Sequence, residues 1–96
     1  MADWPGPAEL KQVLDIESTD WDETVDRVLS ASIKAVKSDV GVWNDQTDEP
    51  DDNLAQAALR MAELISLRPQ TTTAEASADP TYQRLMKGHR KRFAIA

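Results

Sequence analysis

The chain contains no cysteine, which removes disulfide bonds and thiolate metal sites from consideration. It has a single histidine, His89, and a zinc centre or a histidine-based triad would need partners that the sequence does not supply. Its three glycines are isolated from one another, so no glycine-rich loop exists to cradle a phosphate. No apolar run approaches the roughly 18 residues that cross a bilayer. The opening MADWPGPAEL is acidic, without the basic-then-apolar order of a signal peptide. These absences set the expectation of a protein with no cofactor, no metal, no membrane partner and no enzymatic activity, made in a cytoplasm.

Two acidic stretches bear on chemistry. Asp51 and Asp52 could serve as paired acid and base, but they stand where a helix cap belongs, and the cap is the stronger reading. NDQTDEPDDN, at residues 44–53, lacks the alternating oxygen ligands, glycine and terminal glutamate of a calcium loop.

What the chain does have is 96 residues with 41% hydrophobic content, enough for one domain with a modest core. Such small cores often gain stability by oligomerising. The net charge of −6 conceals a division. Residues 1–78 hold 6 basic and 16 acidic side chains, whereas residues 79–96 hold 5 basic and 1 acidic. An acidic body with a basic end points to an end that seeks a negative surface.

The periodicity is helical throughout. Pro5 and Pro7 suit a helix entrance, and Leu10, Val13 and Leu14 form a short apolar stripe. Asp20 with Glu23 is the expected cap of a long helix over residues 20–40. Its stripe is Trp21, Val25, Val28, Leu29, Ser32, Ile33, Val36 and Val40, and Gly41 is the expected stop. A second long helix is expected over residues 51–68, with Leu54, Ala58, Met61, Ala62 and Ile65 on one face. Leu59, Leu64 and Leu67 widen that face, so this helix is expected to be central. PQTTTAEASA reads as an exposed, mobile linker over residues 69–78. Asp79 as N-cap and Pro80 at the first helical position restart order, with Tyr82, Leu85 and Met86 on one side and Gly88 as stop. The expected fold is all-α. Two long helices form a small bundle, with a short helix at each end and an extended C-terminal tail. The body spans residues 1–78, and the short helix with its arm spans residues 79–96.

The tryptophans and the tail are the candidate sites. Trp21 and Trp43 bracket the long helix and are expected in the core or at its rim. Trp4, in a Pro-Gly-Pro segment, is read either as a lid over the core or as a contact with a neighbouring subunit. The tail ends HRKRFAIA. Arg90, Lys91 and Arg92 form a compact positive block, and Phe93 and Ile95 would point to the same side of an extended segment. Such a segment can pair with a sheet edge or fill two pockets on a partner. DNA is the competing target for the basic block, which gives the alternative reading of a small helical DNA-binding regulator.

PAELKQVLDI, NLAQAALRMAELI and DPTYQRLMKGHRKRFAIA, in that order and spacing, resemble the head–tail connector (adaptor) proteins of long-tailed bacteriophages. The likeness spans most of the chain. It departs at PQTTTAEASA, where many relatives carry a longer, glycine-richer linker, and at the unusually acidic loop of residues 44–53. The resemblance implies a structural role in the virion, as a homo-oligomeric ring, typically twelvefold, beneath the portal protein. It further implies that Arg90, Lys91, Arg92, Phe93 and Ile95 face the portal, that a stopper or tail-completion protein binds the opposite side, and that double-stranded DNA passes through the ring.

Overall fold

In a computed structural model, residues 4–41, 43, 49–68 and 70–87 are described. Among them the chain forms five helices and no strand: α1 Pro7–Leu14, α2 Asp22–Val40, α3 Asp52–Leu67, α4 Thr73–Ala76 and α5 Pro80–Met86. The all-α bundle with two long helices is as the sequence predicts.

The long helices stop and start for local reasons. Gly41 closes α2 at φ 100°, a backbone region that a side chain disfavours. The Asp51 carboxylate accepts the Leu54 amide at 2.8 Å and so caps α3. That bond is the helix cap expected at this acidic pair, supplied by Asp51. The start of α2 differs from expectation. Its N-cap position is Trp21, which provides no side-chain cap. Asp20 instead donates its backbone N–H to Ser18 Oγ at 3.0 Å, within a turn that precedes the helix.

Two apolar clusters lie along the α2–α3 pair. One joins Val36 and Val40 to Leu54, Ala57, Ala58, Met61, Ala76, Tyr82 and Met86. The other joins Leu10, Val25 and Leu29 to Ala62. Late positions of α2 thus meet early positions of α3, and early positions of α2 meet late ones of α3: the helices are antiparallel. Ala57, Ala58 and Ala62 are completely buried, so α3 presents little more than backbone where its neighbours cross. That explains how α3 can touch each of the other four helices. Ser32 is also fully buried, and its hydroxyl donates to the Val28 carbonyl at 2.9 Å, so no polar group is stranded there.

The segment predicted as a linker contains α4. Thr72 Oγ1 accepts the Glu75 amide at 3.1 Å, a capping box written as Thr-x-x-Glu, and Ala76 is buried against the larger cluster. The next cap follows at once, at Asp79. α5 then returns along α3, placing Tyr82 and Met86, both fully buried, in the cluster of Val36, Val40 and Leu54. Gly88, the expected stop of α5, lies outside the described residues; Lys87 is the C-cap residue.

Met61 is 1% exposed at the centre of the larger cluster. Met61→Ala is expected to cost about 2–5 kcal/mol, whereas Val13→Ala, on the 42% exposed face of α1, should stay within about 0.5 kcal/mol. Urea denaturation followed by far-ultraviolet circular dichroism measures both.

Candidate docking surfaces

The described part of the C-terminal segment is joined to the body by a continuous polar chain. The Tyr82 hydroxyl donates to Asp39 Oδ2 at 2.9 Å, linking α5 to the last turns of α2. The Asp79 carboxylate accepts the Tyr82 amide at 3.0 Å and caps α5. The same carboxylate takes two bonds from the Arg60 guanidinium of α3, at 3.0 Å from Nε and 3.1 Å from Nη2. Arg60 also reaches Glu63 at 3.1 Å. Gln83 adds a bond from its side-chain Nε2 to the Ser77 carbonyl.

The forked geometry makes the Arg60–Asp79 pair directional as well as attractive. The Asp79 side chain is only 14% exposed, against 32% for Arg60, so the pair is screened less than a surface ion pair. The Arg60 hydrogen bonds hold the Asp79 carboxyl below the ordinary carboxylate value. Burial opposes this, and the amides of Tyr82 and Thr81 reinforce it. Arg60 is correspondingly raised, chiefly by its bonds to Asp79.

Arg90, Lys91, Arg92, Phe93 and Ile95 lie outside the described residues. The described chain ends at exposed Lys87, immediately past the buried Met86.

Trp4 is half-buried at the same end of the bundle. Its ring meets that of Trp43 at 5.4 Å between centroids and a tilt of 56°, and Lys37 Nζ stands 5.6 Å from its centroid. Both rings pack against the larger cluster. Trp4 therefore packs over the core while remaining partly exposed.

Trp21 contradicts its expected place in the core or at its rim. It is 57% exposed, and the reason is its position at the helix N-cap. There φ −104° and ψ 3° break the 100° advance per residue on which the stripe was counted. Trp21 instead forms one wall of an apolar groove of about 430 Å³ between the end of α1, the start of α2 and the end of α3. Leu14, Ile16, Val25, Val28, Ile65 and Leu67 complete the apolar lining. Leu67, expected to widen the core face of α3, is 65% exposed here.

Among the described residues no group of three or more His, Asp or Glu side chains is arranged to hold a metal ion, and no helix is long and apolar enough to cross a membrane. Comparison with protein families, with curated proteins and with solved structures finds no match to this chain.

The dual use of Asp79 separates its two roles by mutation. Asp79→Asn keeps a good helix cap and loses the charge opposite Arg60, for an expected loss of about 1–2 kcal/mol. Asp79→Ala loses both, at about 2–4 kcal/mol. The depressed carboxyl also sets a pH dependence. Its stabilisation is fully present above the unfolded value of about 4. It is lost as pH falls through the lower folded value, because the unfolded chain takes up the proton first. Chemical denaturation between pH 2 and 7, roughly the window in which a carboxylate titrates, should show a shallower acid limb in Asp79→Asn than in the parent.

Proposed function

We propose that this protein is a structural, non-enzymatic adaptor of a tailed-phage virion. In this reading it assembles as a ring under the portal and uses its C-terminal arm, residues 89–96, to attach each subunit to the portal. Its opposite side is turned toward a stopper or tail-completion protein, and DNA passes through the ring. Three features support the reading: the resemblance of the three sequence segments, the acidic body with its basic end, and above all the anchoring of α5.

The anchoring is the observation that carries most weight. An arm that bears load between two assemblies needs a fixed root. The root here is buried at Tyr82 and Met86 and tied to α3 through Asp79 and Arg60. A basic block followed by apolar residues begins within three residues of Lys87. Arg90, Lys91 and Arg92 would steer docking to acidic groups. Phe93 and Ile95 would contribute roughly 1.5–3 kcal/mol each on full burial. Repeated around a ring, arms of modest individual affinity act together. An acidic body facing the passage would repel the phosphate backbone and keep DNA from adhering.

Removal of residues 89–96 leaves every helix contact described above intact. The truncated protein should therefore keep its circular dichroism spectrum and denaturation midpoint but fail to decorate purified portal rings in negative-stain images. Normal decoration by the truncated protein would contradict the reading. Retention of full-length protein on duplex DNA, falling steeply with salt and lost on truncation, would favour the DNA-binding alternative.

A further inference from the structure

The groove beside Trp21 is not used by the adaptor reading, and it sits at the end of the bundle away from the arm. α5 delivers the chain to the cluster of Val40 and Leu54. The groove is built on Val25, Val28 and Ile65, at the other end of the antiparallel pair. We propose that this groove receives the apolar tip Phe93-Ala94-Ile95-Ala96 from a second copy of the chain, giving a head-to-tail association.

Three observations identify the occupant. The first is chemistry. The groove walls are apolar, with Trp21 and Leu67 largely exposed, and its volume of about 430 Å³ suits two adjacent apolar side chains. Phe93 and Ile95 are spaced to enter it from one side of an extended segment. The second is charge. Exposed Asp15, Glu17 and Asp20 alternate in sequence with the groove-lining Leu14, Ile16 and Trp21, while the nearby bases Lys11 and Arg27 are already paired with Asp22 and Glu23 and Arg68 follows Leu67. A tip preceded by Arg90, Lys91 and Arg92 meets charge of the opposite sign at that rim.

The third is reach, which selects a second copy over the chain's own tail. Six residues separate Lys87 from Phe93 and span at most about 20 Å when fully extended. Between the same two ends, the fifteen residues of α2 from Val40 back to Val25 occupy about 22 Å and the eleven of α3 from Leu54 to Ile65 about 17 Å, before any turn or sideways step, so the chain's own tail would have to be almost fully stretched to arrive. A neighbour's arm carries no such limit. Because the two contacting surfaces differ, repetition of the contact generates a closed ring or an open filament. The inference needs no portal and stands apart from the adaptor reading. If both hold, the tip occupies a neighbour's groove and a portal site alternately.

The test uses full-length protein and the peptide KGHRKRFAIA, residues 87–96. The parent's sedimentation coefficient should rise with concentration, and that rise should be lost in the double variant Phe93→Ala, Ile95→Ala and weakened by salt. Peptide added to the ¹⁵N-labelled double variant should move the indole resonance of Trp21, assigned through Trp21→Phe, and leave those of Trp4 and Trp43 in place. A second variant, Thr24→Arg, places a cation at the exposed groove wall without touching the core and should weaken peptide binding at least tenfold. A parent that stays monomeric at every concentration overturns the inference, whether the peptide fails to shift Trp21 or the chain's own tail fills the groove. Loss of portal binding with self-association intact would overturn only the adaptor reading.

Discussion

The Asp79 carboxylate is the point on which the C-terminal half of the molecule turns. One oxygen pair performs two tasks at once: it ends the irregular segment after α4 by capping α5, and it fixes that cap to α3 through the Arg60 fork. Without the cap, a helix of seven residues has little intrinsic stability. Without the ion pair, the first turn loses its two-bond tie to α3. Tyr82 and Met86 are buried because this turn is aimed correctly, and the Tyr82 hydroxyl then reaches Asp39 on α2. The direction in which the chain leaves the body follows from these contacts.

The bundle thereby acquires two unlike ends. At one, the late residues of α2, the early residues of α3, the Trp4–Trp43 pair and α5 close a dense core, and the arm departs from it. At the other, the short α1 and the turn before α2 leave an open apolar groove flanked by carboxylates. Under the proposed association, these unlike ends are what would give the contact its direction. The small side chains of α3 make this possible in few residues, since Ala57, Ala58 and Ala62 let four neighbours approach one helix closely.

Much of this was legible in the sequence, for identifiable reasons. Long helices with a 3.6-residue apolar period, the Asp51 and Asp79 caps and the Gly41 stop are local signals, and the structure follows them. The central place of α3 followed from the breadth of its apolar face. Other features are not legible there. Trp21 left its stripe because the helical period does not extend into a non-helical cap residue. α4 is not legible because four residues show no periodicity, although Thr72 and Glu75 carry the Thr-x-x-Glu pattern of a helix start. Arg60 and Asp79 lie 19 residues apart on different helices, and no sequence pattern pairs an arginine on an apolar helix with a distant cap. The groove was illegible for a related reason: its walls come from three elements, and it exists only because Trp21 and Leu67 point outward.

The central claim is that α5 is part of the folded body and fixes the root of the arm. Native-state hydrogen exchange at the amides of Gln83 to Met86 tests it most directly. The account predicts protection approaching that of the α3 core amides in the parent and a selective loss of protection at these amides in Asp79→Ala. Exchange at the rate of an unstructured chain in the parent, with α2 and α3 protected, would contradict it.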